Sequence, residues 1–164
     1  MKKQISQAVI FVLTVSTILI GCAGNRTSVS SNPELLYMQA VAYNNQGLTH
    51  WQFGQYDQAI ASYTKVLEID PRFAEAYNNR GVAYHDKGQY DQAITDFNRA
   101  LKINPEDPKI YKNRALAYHF KLEYEKTSED LSKLQHLGYH PHFQLQRLAL
   151  MPFIQEPARV IATP

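Results

Sequence analysis

The stretch AEAYNNRGVAYHDKGQYDQAITDFNRALKINPED, residues 74–107, decides the fold, because the chain repeats it on both sides. Residues 40–73, AVAYNNQGLTHWQFGQYDQAIASYTKVLEIDPRF, superimpose on it without a gap. Residues 108–141, PKIYKNRALAYHFKLEYEKTSEDLSKLQHLGYHP, make a third copy, so the period is 34 residues. A fixed period of this length marks a solenoid, in which each unit buries its apolar face against the next.

Each copy reads as two helices. In the middle copy Tyr77, Gly81 and Tyr84 recur at i, i+4, i+7, and Ala93, Phe97, Ala100 and Leu101 at i, i+4, i+7, i+8, one stripe per helix. Gly54 and Gly88 stand between the paired helices, where a left-handed residue is easy only for glycine. Leu122 holds that place in the third copy and predicts a different turn there. Asp70-Pro71, Asn104-Pro105 and Asp107-Pro108 predict helix starts, a capping side chain followed by proline at the first position. Asn32-Pro33-Glu34 predicts a first helix one turn longer than the register requires. No run alternates with a strand period, so the expected fold class is all-α.

The middle copy holds Tyr77, Gly81, Tyr84, Tyr90, Ala93, Phe97, Ala100 and Pro105 at repeat positions 4, 8, 11, 17, 20, 24, 27 and 32. This pattern closely resembles the tetratricopeptide repeat. The first copy matches with Tyr43, Gly47, Tyr56, Ala59, Tyr63 and Pro71 and departs at His50 and Val66. The third keeps Tyr111, Tyr118 and Tyr124 but carries Ala115, Thr127 and Tyr139 where the pattern has glycine, alanine and proline. The resemblance implies a short α-solenoid of three helix–turn–helix repeats over residues 34–141. It also implies that Gly47 and Gly81 face Ala59 and Ala93, letting two helix axes approach. Residues 142–151, with Phe143, Leu145, Leu148, Leu150 and Met151, are read as a helix that caps the stack, and 152–164, broken by Pro152 and Pro157, as a loose tail.

At about 100° per residue, positions 2, 6, 9 and 13 of each leading helix fall opposite positions 4, 8 and 11. The resemblance implies that this second stripe lines a groove for an extended or helical peptide. Position 6 is Asn45, Asn79 and Asn113, and position 9 is Leu48, Val82 and Leu116. Position 12, at the rim, is Trp51, His85 and His119, and the third copy adds Lys109 and Phe120 at positions 2 and 13. An asparagine offers a donor and an acceptor, as a peptide bond does. Three at repeat spacing either pair a partner's backbone or serve local helix contacts, and both readings stand. Family members that clamp a carboxylate terminus use Lys, Asn and Arg at places that are Asn44, Leu48, Asn79, Lys109 and Asn113 here. Only Asn79 and Lys109 match, so the resemblance does not extend to that clamp.

The N-terminus reads as an address. Lys2 and Lys3 precede an apolar run from Ala8 to Ile20, too short to span a bilayer and suited to a secretory signal. Leu19-Ile20-Gly21-Cys22 resembles the bacterial lipobox. That resemblance implies a signal peptide over 1–21, cleavage before Cys22, a lipid on its thiol and an acyl chain such as palmitate on the new amino terminus. Two or three chains make a durable anchor where one holds only marginally. Residues 22–33 then form a flexible tether, and Ala23 after the cysteine favours the outer membrane of a cell that has one. The expected location is the bacterial cell envelope, extracytoplasmic and lipid-anchored.

Composition excludes other classes. The chain has 164 residues, 45% of them apolar, with 17 Lys+Arg against 15 Asp+Glu. Without Lys2 and Lys3 the counts balance, so no nucleic-acid partner is expected. One cysteine forms no internal disulfide, and His136, His140 and His142 lack a completing carboxylate or thiol, so no metal is expected. No phosphate-binding glycine loop, nucleophile elbow or zinc-protease motif is present, so neither cofactor nor catalytic residues are expected. Asp57, Asp91 and Glu125 open second helices, where they suit the helix dipole. The expected function is a lipid-anchored adaptor holding a protein or peptide partner. The alternatives are a pilotin-like assembly factor for a pilus or secretion complex, and a structural envelope lipoprotein that self-associates as a homo-oligomer.

Overall fold

The computed structural model describes residues 32–139. Six helices follow one another: α1 (Pro33–Gln52), α2 (Tyr56–Ile69), α3 (Ala74–Asp86), α4 (Tyr90–Ile103), α5 (Pro108–Phe120) and α6 (Tyr124–His136), with no strand among the described residues. The fold is the all-α helical repeat. The chain divides between Met38 and Gln39 into two units, and the repeats lie in the second. The signal segment, Cys22, the tether up to residue 31, the capping segment and the tail lie outside the described residues. The helix begins at Pro33, with the Asn32 side chain accepting the Glu34 N–H at 3.0 Å, so Pro33 is helical rather than part of the tether.

Successive helices pack in order, α2 on α3, α3 on α4, α4 on α5 and α5 on α6, and α3 also meets α5. The largest core cluster joins Ala93, Ile94, Phe97, Ala100 and Leu101 of α4 to Ile110 and Ala117 of α5. Phe97 is fully buried, and burying a side chain of that size contributes about 2 kcal/mol. Tyr63 is its counterpart in α2, and burial pushes its phenol up to about 12.

The repeat glycines make room for these rings. A methyl on Gly81 would stand 2.6 Å from Phe97 Cε1, and one on Gly47 would stand 2.5 Å from Tyr63 Cε1. The close neighbour is therefore the aromatic at position 24, not the alanines Ala59 and Ala93. In the third repeat position 24 is Leu131, and Ala115 packs in one cluster with it. Exchanging a flat ring for a leucine accompanies exchanging the glycine for a methyl group.

Two local expectations change. Asp70-Pro71 and Asn104-Pro105 do not start helices. Asp70 and Asn104 close α2 and α4, their N–H groups donating to Val66 O and Ala100 O, both at 2.8 Å. Proline drives the residue before it out of the helical region, and that ends each helix. Asp70 Oδ1 then accepts the Arg72 N–H at 2.8 Å in a side-chain turn, and α3 opens at Ala74 with no side-chain cap. Only Asp107-Pro108 caps as expected, Asp107 Oδ1 accepting the Lys109 N–H at 2.9 Å. Nor does Leu122 make a different turn. Its φ is 64°, beside 71° at Gly54 and 74° at Gly88. Its N–H donates to His119 O, and the Glu123 N–H to Tyr118 O, matching the pairs closed after Trp51 and His85. The left-handed position is imposed by the helix-ending pattern, and leucine bears its strain.

Candidate functional site: the cleft between α3 and α5

The first turns of α3 and α5 frame a cleft of about 440 Å³. Its walls include Glu75, Asn78 and Asn79 from α3, Asn104 and Asp107 from the connecting turn, and Lys109 from α5. Lys109 forms no ion pair among the described residues. Glu75 and Lys109 are exposed, whereas Asn78 and Asn79 are half-buried.

The amides behind this cleft form one chain of hydrogen bonds across all three leading helices. Asn113 Nδ2 donates to Asn78 Oδ1 at 3.0 Å, and Asn78 Nδ2 to Asn79 Oδ1 at 3.4 Å. Asn79 Nδ2 donates to Asn44 Oδ1 at 3.2 Å, and Asn44 Nδ2 to Glu75 Oε1 at 3.1 Å. All four bonds run the same way, ending on a carboxylate. Asn79 and Asn113 thus spend one N–H each on a neighbouring repeat, and the second N–H of each has no acceptor among the described residues. Asn45 stands outside the chain. It is exposed, and its carbonyl accepts the Thr49 hydroxyl at 3.0 Å. The amides that complete the chain, Asn44 and Asn78, are one residue earlier in the repeat. The doubled asparagine of the first two copies was their visible signal.

Leu48, Val82 and Leu116 are half-buried, and Val82 leans on the α4–α5 core. The remaining expected residues gather at the other end of the leading helices. Trp51 donates from Nε1 to Asp86 Oδ2 at 2.7 Å, and the His85 ring lies 5.3 Å from Phe120 and 5.4 Å from Tyr90. Phe120 stacks on Tyr90 at 5.5 Å, and His119 touches Phe120 and Tyr124 edge-on. His85 Nε2 and His119 Nδ1 are buried with no partner among the described residues. Burial holds the His119 imidazole below its ordinary value. The expected groove residues therefore divide: Asn79, Asn113 and Lys109 lie with the amide chain and cleft, His85, His119 and Phe120 lie in an aromatic row at the turns, and Trp51 is held by Asp86.

Charge ties the turns together as well. Lys87 of the second repeat pairs with Asp57 of the first, and Lys121 of the third with Asp91 of the second. Lys121 also meets Glu123, whose carboxyl is held below the ordinary range by Lys121 and then Lys126. The strongest polar contacts are buried and were missed from sequence. Arg80 Nε and Nη2 hold Asp96 at 2.7 and 2.9 Å, while Nη1 reaches Thr64 at 3.0 Å. Arg114 repeats this with Asp130 at 2.9 and 2.5 Å and with Asn98 at 2.6 Å. Each guanidinium joins its own repeat to the second helix of the repeat before.

Paired helices in register at a 34-residue period, with leading helices bridged by side chains, define a helical-repeat scaffold. Residues 74–107 match the family model "Tetratricopeptide repeat", and residues 47–87 match the model "TPR repeat". Over residues 47–107 the sequence therefore matches the tetratricopeptide repeat. Among solved structures it is similar to the first TPR domain of human RPAP3, with a TM-score of 0.67 at 23% identity, covering 80% of this chain and 100% of that one. It is similar to the TPR domain of Sgt2 from Aspergillus fumigatus, with a TM-score of 0.66 at 24% identity over 76% and 85% of the two chains. It also resembles the first TPR of Spaghetti (RPAP3) bound to the HSP90 peptide SRMEEVD, with a TM-score of 0.65 at 24% identity over 77% and 95%. No curated protein matches the chain significantly.

Proposed function

We propose that the chain is a non-enzymatic docking scaffold, which holds a partner peptide along its leading helices and is fixed to an envelope membrane by lipid on Cys22. The observation that supports docking best is the 440 Å³ cleft, which opens onto a continuous row of amides spanning all three repeats. Each of those amides keeps donor or acceptor capacity after its bond within the row, as pairing with a peptide backbone requires. The domain from Spaghetti offers a precedent on the same fold, since it is bound to a peptide. The short apolar run before Cys22 supports the anchor. Among the described residues no helix is long and apolar enough to cross a membrane.

Capture from envelope extract by the soluble chain starting at Ala23 tests the reading. Asn79→Ala with Asn113→Ala should lose the captured partner at unchanged helicity, and undiminished capture would move the interface off the amide row. Cys22→Ser in the full chain should shift it from the membrane to the soluble fraction, and retention in the membrane would refute the anchor.

A further inference from the structure

The cleft between α3 and α5 differs in charge from a receptor for acidic tails. It presents one ammonium, on Lys109, against two carboxylates, on Glu75 and Asp107. Both carboxylates are held by one oxygen. Glu75 Oε1 accepts from Asn44 at the end of the amide chain, and Asp107 Oδ1 accepts the Lys109 N–H at the start of α5. The second oxygen of each, Glu75 Oε2 and Asp107 Oδ2, accepts no hydrogen bond among the described residues. Two acceptors already fixed in place lose little freedom when they meet a cation. Asn78, Asn79 and Asn104 around them supply neutral donors and acceptors that suit a peptide backbone.

We infer that this cleft selects a lysine or arginine side chain of the docked peptide, set between Glu75 and Asp107, and disfavours a free C-terminal carboxylate. The inference rests on the docking function proposed above and names the chemistry of its partner. Lys109 attracts an anion, but the two carboxylates beside it repel one. Its ammonium also limits how strongly the pocket attracts any cation that lacks a peptide backbone to bind the amides. Charge complementarity of this kind acts mainly as specificity, suppressing wrong partners through like-charge contact.

Two variants remove charge without removing the local bonds. Glu75→Gln keeps an oxygen to accept from Asn44, and Asp107→Asn keeps a good helix cap. The probes are two fluorescein-labelled peptides, SRMEEVD with a free carboxylate and SRMKKVK with an amidated terminus, titrated against the chain from Ala23 by anisotropy. SRMKKVK should bind at least tenfold tighter, the scale of one charge-assisted hydrogen bond. Glu75→Gln and Asp107→Asn should each weaken it by about tenfold, and Lys109→Met should strengthen it. Equal or tighter binding of SRMEEVD overturns the inference, as does indifference of SRMKKVK to both carboxylate variants, or no binding by either peptide. The Asn79→Ala, Asn113→Ala capture experiment stands apart from these outcomes. If it loses the partner while SRMKKVK fails, docking holds and only the assignment of a basic side chain falls.

Discussion

Arg80 and Asp96, 16 residues apart and on different helices, meet through two parallel hydrogen bonds of 2.7 and 2.9 Å with only 12% and 4% of their side chains exposed. A bidentate pair in this setting orients both groups, and a third bond to Thr64 fastens the pair to the preceding repeat. Removing one member leaves the other charge buried and uncompensated. Asp96→Ala should therefore cost about 3 kcal/mol in urea denaturation. Arg80→Met with Asp96→Leu should recover most of that loss, because it removes the stranded charge along with its partner.

Position 8 and position 24 form a matched pair in each repeat. Gly81→Ala should lower stability by about 2 kcal/mol, since its methyl would stand 2.6 Å from Phe97 Cε1. Phe97→Leu alone should also destabilise. Combined, the two recreate the Ala115–Leu131 pairing of the third repeat, and the double variant should lose less than the sum of the singles. A double-mutant cycle on unfolding midpoints measures the coupling, and strict additivity would contradict it.

Leu122 is the non-glycine residue with a left-handed backbone among those described, at φ 64°, and its side chain is 68% exposed. Little packing is lost on truncation, so Leu122→Gly should stabilise the domain by about 1 kcal/mol. Calorimetry should show a rise in Tm, whereas Gly88→Ala at φ 74° should lower it.

The aromatic row makes the fold sensitive to mild acid. Burial lowers the His119 pKa from 6.5, and its Nδ1 has no acceptor among the described residues. A depressed value means that the unfolded chain takes up the proton first. Stability is then complete above 6.5 and falls as pH drops from there toward the lower folded value. Urea midpoints between pH 7.5 and 5 should track this decline, and His119→Gln should flatten the His119 share of it.

The architecture was legible because the repeat is spelled three times, and the apolar spacing within each copy sorts residues onto faces. The Asx-Pro pairs misled because the same dipeptide serves as a helix start and as a helix stop. Asp107-Pro108 caps α5, while Asp70-Pro71 lies in the turn after α2, and only the neighbouring chain direction distinguishes them. The guanidinium staples were harder to see, since their members are 16 residues apart across a turn. A trace existed: positions 7 and 23 change together, Arg80 with Asp96 and Arg114 with Asp130, against Gln46 with Ser62 in the first copy. In the candidate site, Asn79 and Asn113 were identified for their residue type. Their mutual bonding through Asn44 and Asn78 depends on side chains reaching between repeats, which helical periodicity does not encode.

The row of amides also sets where it can itself be extended. Each link needs an oxygen at position 5 of one repeat to receive the N–H from position 6 of the next, and Asn44 and Asn78 supply it. The third copy places Lys112 there, an ammonium with nothing to accept with. Tandem duplication of the middle unit would lengthen the row, while duplication of the last unit would sever it at the first junction.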